Sequence, residues 1–507
     1  MLIFNHTQIF NPGSKSNESF INIFIFYICL VFNQMCLMFI KRGFIMALIS
    51  LSDVSFGYDD INLLNNVSVA FNDNEHIAIV GDNGCGKTTL LKLLAGVLLP
   101  DYGTVNIDAD IFMLNQINAS DSKSGGEQQM FALMRAFESG ADILLLDEPT
   151  NNLDFDARQI FFNRLHTYPH GVVVVSHDRE LLRQMDKIIE LQNGQLRVYG
   201  GDYDFYLSQR QIEADAIASK YTDAQKNIVR LSGTINIAQN TRHHHEFKQQ
   251  KERTNSRRSR LAANALKGKS QETEAKKRAI IQKKLDEQTE IQKALSEQMR
   301  NETIKIPVPT KSFYSKELIN ISGLSFAYGD KQVFDNFDFI MYGKSHIHLS
   351  GRNGCGKSTL LKIICGKLKP DSGTIKTNGR IAYINQDLSL LDKNKTIIEN
   401  IMNISGCLKH DAHAIAANFG FRGNASKQIV GILSGGELLK ATLAAVLGGN
   451  SQPDLLILDE PTNNLEIKSI SVLENALNQY GGAVLLVSHD TEFVRNVNVE
   501  KIIFLGR

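Results

Sequence analysis

The 507-residue sequence has no tryptophan, only nine prolines and only six cysteines. The cysteines stand singly, without CxxC or Cys/His spacing. Neither a disulfide-rich scaffold nor a zinc site is therefore predicted, and a reducing cytoplasm is expected. The net charge of +1 excludes a chain that is basic throughout. Hydrophobic residues at 43% and charged residues at 21% are typical of a soluble globular protein with two or three domains.

One long uncharged run is present, at residues 20–40, and it is long enough to cross a bilayer. Two positively charged residues, Lys41 and Arg42, come directly after the run, whereas a signal peptide has its positive charges before the apolar segment. Two interpretations stand: a membrane anchor, or residues 1–45 as a non-native extension ahead of a start at Met46. The second is preferred because MALISLSDVSFGYDD is a natural opening for a cytosolic, β-rich domain. N-terminal sequencing decides between them.

Two segments repeat one another at an offset of 270 residues. GDNGCGKTTLLKLLAGVLLPDYGTV begins at Gly81, and GRNGCGKSTLLKIICGKLKPDSGTI begins at Gly351. A glutamine keeps that offset, at Gln116 and Gln386. A Ser-Gly-Gly-Glu tetrad follows at an offset of 310, and an acidic strand and a histidine follow at 312. The halves are therefore one unit written twice, and about 40 residues between the glutamine and the tetrad are missing from the first half.

Each half has the pattern of an α/β domain. The apolar runs in VVVVSHD, AVLLVSHD and ILLLD predict strands that are buried on both faces, as in a parallel sheet. The segment after each GK[ST] has helical Leu/Lys patterning, while LISLSDVSFGYDD alternates and indicates an antiparallel sheet edge.

The motifs Gly81-x4-Gly86-Lys87-Thr88 and its repeat at 351–358 match the phosphate-binding loop. Glycines let backbone N–H groups converge on phosphate oxygens, and the following helix N-terminus favours negative charge. The lysine neutralises phosphate charge, and the hydroxyl of Thr88 or Ser358 can ligate Mg²⁺. One match could arise by chance, but two at one offset could not.

Each acidic strand ends in an Asp-Glu pair, and each following strand ends in Ser-His-Asp. Asp147 and Asp459 can hold Mg²⁺, and the adjacent Glu148 and Glu460 can polarise an attacking water. A single acidic turn or a single histidine would more often be structural. The repetition in an identical Asp-Glu-Pro-Thr-Asn-Asn-Leu context favours catalysis, with the histidines contacting the γ-phosphate.

These residues resemble the ATP-binding cassette (ABC) superfamily, to which the signatures SKSGGEQQ and LSGGELLK are specific. The resemblance implies a head-to-tail pair that sandwiches two ATP molecules with Mg²⁺, each between one half's phosphate loop and the other half's signature. Tyr58 and Tyr328 would stack on adenine; the alternative is an ordinary strand aromatic.

The resemblance implies three sets of site residues. The catalytic set is Glu148, His177, Gln116, Glu460, His489 and Gln386. The Mg²⁺ set is Thr88, Gln116, Asp147, Ser358, Gln386 and Asp459. The nucleotide-contact set is Tyr58, Gly81, Asp82, Asn83, Gly84, Cys85, Gly86, Lys87, Thr88, Thr89, Ser124, Gly125, Gly126, Glu127, Tyr328, Gly351, Arg352, Asn353, Gly354, Cys355, Gly356, Lys357, Ser358, Thr359, Ser434, Gly435, Gly436 and Glu437.

The halves also differ. The first signature has Lys123 where the second has Leu433, and the loop after the acidic strand has Asp154 in the first half but Glu466 in the second. Because both halves keep a glutamate base, both are expected to hydrolyse ATP, unequally.

The phosphate-loop cysteines allow two hypotheses. The helix N-terminus and the nearby lysine should lower the thiol pKa of Cys85 and Cys355, so that alkylation blocks ATP binding and ATP protects. Alternatively, each cysteine is a small space-filling side chain.

The halves are joined by about 100 polar, helix-forming residues at 206–311. We predict two long antiparallel helices with a turn near 262–270. Residues 241–300 hold sixteen Lys and Arg against eight Asp and Glu, so the rest of the chain sums to −7. The positive residues cluster at the expected tip: Arg253, Arg257, Arg258, Arg260, Lys267, Lys269, Lys276, Lys277 and Arg278. Such a run is often only a solvated helix face, but a basic tip on an acidic body favours a polyanion, most plausibly RNA.

Two cassettes and a charged helical linker resemble the ABC-F family, from Met46 to the C-terminus. The predicted fold is α/β, with two P-loop ABC ATPase domains, 46–205 and 312–507, joined by the helical hairpin linker. The resemblance implies a cytoplasmic monomer with no membrane partner. It would bind the ribosome through residues 253–278, in translation regulation or antibiotic ribosome protection. The short first cassette is similar to resistance members. A transporter ATPase and a DNA-associated ATPase are the alternatives.

Overall fold

The computed structural model describes residues 48–59, 61–116, 125–252, 276, 279–296, 317–385, 388–449, 452–463 and 465–506. The apolar run at 20–40, Ser124, Gln386, the predicted linker turn and the basic tip residues other than Lys276 lie outside these ranges. In the part of the chain that is described, no helix is both long and apolar enough to cross a membrane.

The first cassette contains two sheets. The antiparallel sheet has the order β2-β1-β4, with β1 Ile49–Tyr58, β2 Ile61–Phe71 and β4 Tyr102–Ile107. The larger sheet has the order β5-β6-β7-β3-β8-β9 and is parallel except for the β8–β9 hairpin. Its strands are β3 His76–Gly81, β5 Ile111–Leu114, β6 Ile143–Asp147, β7 Gly171–Val175, β8 Lys187–Gln192 and β9 Gln195–Tyr199.

Helices cover both faces of the parallel sheet, as the continuous apolar runs predicted. Ile77 and Ile79 pack towards the antiparallel sheet, with the helix that follows the phosphate loop between them, while Ala78 and Val80 pack towards the opposite helices. The helices are α1 Lys87–Leu94, α2 Gly125–Glu138, α3 Phe155–Thr167 and α4 Arg179–Leu182. This alternation brings the C-terminal ends of the parallel strands, where the motifs lie, to one edge of the sheet.

The linker begins with one long helix, α5 Tyr203–Glu252, whose 50 residues correspond to about 75 Å. Its first turn belongs to the core of the first cassette, because Tyr203 and Tyr206 are buried there. Residues 279–296 are also helical, and Asn227 of α5 donates a hydrogen bond to Gln288 at 3.4 Å. The two helical segments therefore lie side by side.

The second cassette repeats the architecture. The antiparallel sheet has the order β11-β10-β13, with β10 Glu317–Tyr328, β11 Lys331–Tyr342 and β13 Ser372–Thr377. The parallel sheet has the order β14-β15-β16-β12-β17, with β12 His346–Ser350, β14 Ile381–Ile384, β15 Leu455–Asp459, β16 Ala483–Val487 and β17 Lys501–Phe504. Its helices are α6 Lys357–Ile364, α7 Ile397–Ser405, α8 Lys409–Asn418, α9 Gly435–Leu447, α10 Ile467–Gln479 and α11 Thr491–Asn496.

The interval that is short in the first cassette is a packed subdomain in the second. It contains α7, α8 and two 3₁₀ turns, Gly423–Lys427 and Val430–Ile432, and its apolar side chains form one core with α9. A capping box, in which Thr396 and Glu399 bond reciprocally, starts α7. The first cassette has only residues 117–124 in this interval, so a missing helical insert in the first cassette stays a prediction.

Candidate functional site

Both phosphate loops lie between a buried strand and a helix N-terminus, as the motif predicted. Gly86 and Gly356, which precede α1 and α6, have φ angles of 107° and 104°, a left-handed conformation that favours glycine. At Gly81 a Cβ atom would lie 2.4 Å from the carbonyl oxygen of Leu191. Only glycine therefore fits at these positions, and the loop amides gather ahead of the helix N-terminus, where a phosphate is favoured.

The loop lysines are almost buried and are held by their own loops. The Nζ atom of Lys87 donates to the carbonyl oxygens of Gly81 at 2.8 Å and Asp82 at 3.1 Å. Lys357 donates to the carbonyls of Gly351 and Arg352 at 2.6 and 3.1 Å. Each ammonium group thus lies at the centre of its loop, where it can neutralise phosphate charge.

A hydroxyl and a carboxylate meet beside each lysine. Thr88 donates to Asp147 at 2.7 Å, and Ser358 donates to Asp459 at 3.3 Å. Burial raises the pKa of Asp147. Hydroxyl and carboxylate oxygens are ligands that Mg²⁺ prefers, so these pairs fit the ion. Bound Mg²⁺ would supply charge neutralisation at the phosphates. Gln116 is exposed at the end of β5, and Gln386 lies outside the described residues.

The candidate bases, Glu148 and Glu460, follow directly after β6 and β15. Both have left-handed backbones, with φ of 48° and 49°, although neither is glycine. Such backbone outliers cluster at functional sites. Their side chains are largely shielded from water, and burial raises the pKa of Glu148 to about 8 and that of Glu460 to about 7.

The histidines lie next to these glutamates. His177 Nε2 is 3.6 Å from Glu148, and His489 Nε2 is 3.2 Å from Glu460. Burial lowers the pKa of His177 to about 3 and that of His489 to about 4, so both imidazoles are neutral and these contacts are not ion pairs. Both ring nitrogens of His177 are buried without a hydrogen-bond partner. A buried polar group of this kind fits a ligand oxygen or a water at the site.

The two tyrosines that the sequence predicts to stack on adenine are partly exposed. Tyr58 and Tyr328 end β1 and β10 with about half of their surface exposed, and each makes an edge contact with a buried phenylalanine, Phe56 or Phe326. Their open faces are compatible with an adenine ring, so the stacking stays a prediction.

The structure brings each phosphate loop against the opposite cassette. The N–H of Asn353 donates to Asp154 at 3.2 Å, and its side chain donates to the carbonyl of Asn152 at 2.9 Å. A Cβ atom on Gly126 of the first signature would lie 2.9 Å from the Asn353 amide nitrogen. On the other side the N–H of Asn83 donates to Glu466. Asp154 and Glu466 therefore make the same contact in the two halves, each accepting a hydrogen bond from the opposite phosphate loop.

Two composite sites result, which we call site 1 and site 2. Site 1 contains Lys87, Asp147, Glu148 and His177, and its opposite signature begins at Ser434. That serine caps α9 in a reciprocal capping box with Glu437. Site 2 contains Lys357, Asp459, Glu460 and His489, and faces the signature of α2.

Sequence reasoning missed two residues of site 2. Tyr383 donates to Asp459 at 3.0 Å. Arg158, from the first cassette, donates to the carbonyl oxygen of His489 at 3.2 Å and to Asp178 at 2.6 Å. Their counterparts in the repeat are Met113 and Ile470, so neither residue belongs to a repeated motif. No sequence signal could have identified them.

The structure corrects the expectation of a lowered pKa at Cys85. Burial raises the pKa of this thiol, and this effect outweighs the opposing influence of Lys87. The Sγ atoms of Cys85 and Cys355 lie against Gly81 and Gly351, and both side chains pack against the cassette cores. The space-filling interpretation therefore accounts for both cysteines.

Comparison with known proteins agrees with this geometry. Residues 64–123 and 334–463 match a family model described as ABC transporter, and residues 189–262 match a second model with the same description. The chain is 31% identical to the erythromycin resistance ATP-binding protein MsrA of Staphylococcus epidermidis, covering 89% of this chain and 96% of that protein. It is 28% identical to the ribosome protection protein VmlR of Bacillus subtilis, covering 90% and 86%. It is also 28% identical to the ATP-binding protein Uup of Haemophilus influenzae, covering 91% and 79%.

Solved structures show the same fold. A structure of RNase-L Inhibitor superposes with a TM-score of 0.54 at 17% identity, covering 89% of this chain and 87% of that chain. An archaeal ABCE1 recycling factor, in complex with the stalk protein aP1, has the same TM-score at 16% identity. At these identities the likeness concerns the architecture alone.

Proposed function

The chain belongs to the ABC-F family of ATP-binding cassette proteins and is an ATPase, and from this premise we propose that it binds the ribosome through its basic linker. Its role is then translation regulation or protection of the ribosome against an antibiotic. The proposal includes a cytoplasmic location, as a ribosomal partner requires, and a monomer whose two cassettes pair within one chain. The domains are 46–205, 206–311 and 312–507.

In the proposed reaction, each ATP lies between one cassette's phosphate loop and the other's signature. Glu148 or Glu460 accepts a proton from the attacking water, whose oxygen bonds to the γ-phosphorus while ADP departs. The neutral histidine beside each glutamate can donate a hydrogen bond to the γ-phosphate. The loop lysine neutralises phosphate charge throughout. The structure supports these roles because the glutamate, the histidine and the lysine of each site follow the C-terminal ends of three adjacent strands.

The observation that carries the ribosomal proposal is how the linker is anchored. Tyr206 of α5 donates to the buried Glu190 at 3.1 Å, and Arg183 forms an ion pair with Asp204 of α5 at 3.0 Å. The same Arg183 forms an ion pair with Glu492 of the second cassette. One guanidinium therefore connects the base of the linker with the cassette interface. ATP-dependent closure can thus change the direction of the linker.

The chemistry of the linker and the names of two relatives support a ribosomal target. The linker leaves an acidic body, and its residues 241–300 hold sixteen Lys and Arg against eight Asp and Glu. This charge fits a polyanion, and ribosomal RNA is one. The relatives include a protein named for ribosome protection and one named for erythromycin resistance. The short first cassette adds modest support for ribosome protection, because the loss of a segment does not identify a substrate.

The test is co-sedimentation with 70S ribosomes in the presence of ATP and Mg²⁺. The variant Glu148→Gln/Glu460→Gln should hold the ATP-bound state and should pellet with ribosomes more than the wild type does. In that background, changing Arg257, Arg258 and Arg260 to Glu should abolish pelleting. A matched control changes three exposed cations nearer the body, Lys220, Lys226 and Arg230, and should retain most of the binding.

Two results would contradict the proposal. If both triple variants pellet equally, the tip does not bind ribosomes. Recovery of the protein with membranes, and not with ribosomes, would favour a transporter ATPase.

A further inference from the structure

The contacts between the cassettes come in pairs that are related by the internal repeat. Asn83 of the first phosphate loop donates to Glu466, and the equivalent Asn353 donates to Asp154. At these positions either cassette could pair with a copy of itself, because an asparagine amide would meet a carboxylate in every combination. These contacts hold the cassettes together without selecting which two cassettes meet.

The residues next to these contacts have opposite charges in the two halves. Asp82 of the first phosphate loop pairs with Lys468 of α10 at 3.0 Å. At the equivalent contact, Arg352 of the second loop pairs with Asp156 of α3 at 2.8 Å. The loop residue and its helix partner have therefore exchanged sign between the two sites.

A third pair is buried and occurs only once. Arg179 of the first cassette donates to Glu474 of α10 at 2.6 Å, and their side chains are 4% and 11% exposed. The counterparts in the repeat are Thr491 and Phe162, which cannot form an ion pair. This contact requires a first cassette on one side and a second cassette on the other.

We propose that these three pairs form a charge code that makes a first cassette fit a second cassette and rejects two identical cassettes from different chains. Two first cassettes would place Asp82 against Asp156 and would replace the Glu474 partner of Arg179 by Phe162. The carboxylate left to Arg179 would be Glu180, the counterpart of its more distant partner Glu492. Two second cassettes would place Arg352 against Lys468 and leave Glu474 buried opposite Thr491. Repulsion and uncompensated burial thus disfavour both wrong pairings. The code does not depend on what the linker binds.

The buried pair contributes most of this selectivity. The two outer pairs are exposed, and each should change pairing by about fivefold or less. Loss of Arg179 or of Glu474 should weaken closure by about thirtyfold or more, because the remaining buried charge loses its shortest contact. It keeps a secondary partner, Glu492 at 3.4 Å for Arg179 and the Asn496 amide at 3.0 Å for Glu474. The outer pairs attract when a first cassette meets a second cassette and repel when two identical cassettes meet. Inverting their charges should therefore reverse the preference, which makes inversion a sharper test than removal of the buried pair.

The inversion can be made without changing either phosphate loop. In the Glu148→Gln/Glu460→Gln background, Lys468→Asp with Asp156→Lys keeps the net charge. It makes both intramolecular outer contacts repulsive and both contacts between identical cassettes attractive. We expect the apparent affinity for Mg²⁺-ATP to fall by about fivefold to 25-fold, the combined effect of two such pairs. With ATP, size-exclusion chromatography with light scattering should also detect a dimer that the Glu148→Gln/Glu460→Gln parent does not form.

Adding Asp82→Lys and Arg352→Asp restores complementarity within the chain, so this quadruple inversion should return the protein to a monomer. Its readout is the oligomeric state, because Asp82 and Arg352 belong to the predicted nucleotide-contact set. The matched control is Asp223→Lys with Lys226→Asp, an exposed ion pair on α5 that should change nothing. The proposal is overturned if the double inversion stays monomeric with parental ATP affinity, or if the quadruple inversion behaves like the double one.

Discussion

Site 1 and site 2 contain the same repeated motifs but receive different side chains from their surroundings. In site 2 the carbonyl of His489 accepts a hydrogen bond from Arg158 of the opposite cassette, whereas the equivalent position facing site 1 is the apolar Ile470. Arg158, Ile470, His177 and His489 all line one cavity of about 50 Å³ between the cassettes. The two histidines therefore share a cavity whose lining is chemically asymmetric.

The surroundings of the predicted Mg²⁺ ligands also differ between site 1 and site 2. Tyr383 holds Asp459 in site 2, but Met113 in the equivalent position of site 1 has no hydroxyl to offer Asp147. This comparison teaches that the repeat has kept the phosphate-loop lysine, the Asp-Glu pair and the histidine and has changed side chains that contact them. The following predictions test that asymmetry, from the largest expected effect to the smallest.

The largest effect should come from removing both bases. Glu148→Gln/Glu460→Gln should lower ATP turnover at least a hundredfold, because neither site keeps a carboxylate to accept the proton. Phosphate release measures it, and the single variants report one site each. Undiminished turnover in the double variant would refute the assignment of the glutamates.

Arg158→Ile copies the residue that faces site 1 and should remove much of the difference between the sites. In the Glu148→Gln background, where only site 2 works, turnover should fall about tenfold. In the Glu460→Gln background it should fall much less. The variant also leaves Asp178 buried without its partner, which costs about 3–5 kcal/mol of stability.

The comparison of backgrounds separates these two effects, since a loss of stability lowers both turnover rates equally. Equal losses in the two backgrounds, together with a lowered Tm, would mean that Arg158 is only structural.

Tyr383→Phe removes the hydroxyl that orients Asp459 and should raise the Mg²⁺ concentration for half-maximal turnover at site 2 by about threefold to tenfold. Groups that orient metal ligands have effects of that order or larger. The measurement is a Mg²⁺ titration in the Glu148→Gln background. Met113→Leu in the Glu460→Gln background is the matched control, and a similar shift there would argue against a specific role for the hydroxyl.

The smallest effect concerns pH. A glutamate base must be ionised, so kcat/KM is lost as pH falls through its pKa in the free enzyme. On the acid side of the pH profile, kcat/KM should therefore fall to half of its maximum near pH 8 when only site 1 works. It should do so near pH 7 when only site 2 works. Arg158→Ile should move this midpoint of site 2 upward, since that guanidinium helps to lower the pKa of Glu460. Midpoints at the same pH would remove this distinction between the sites.

Much of the fold could be predicted because its signals are local and occur twice. The apolar runs at Ile143–Asp147 and Ala483–Val487 predicted buried parallel strands, and the alternation at Ile49–Tyr58 predicted an antiparallel strand. The phosphate loops were recognisable from glycine spacing alone, since few backbones other than this turn require those residues. The pKa of Cys85 was predicted with the wrong sign because burial, which sequence does not report, outweighed a nearby lysine.

The sequence by itself determined the two cassettes, their missing segment and the positions of the phosphate-binding and acidic motifs, because short-range spacing and internal repetition encode them. Only the tertiary structure decided that Arg158 reaches His489, that Tyr383 holds Asp459, and that charges of opposite sign meet across the interface. Those contacts join residues that are 76 to 386 positions apart in the chain. No local pattern records a contact that forms only when distant strands or two domains have packed.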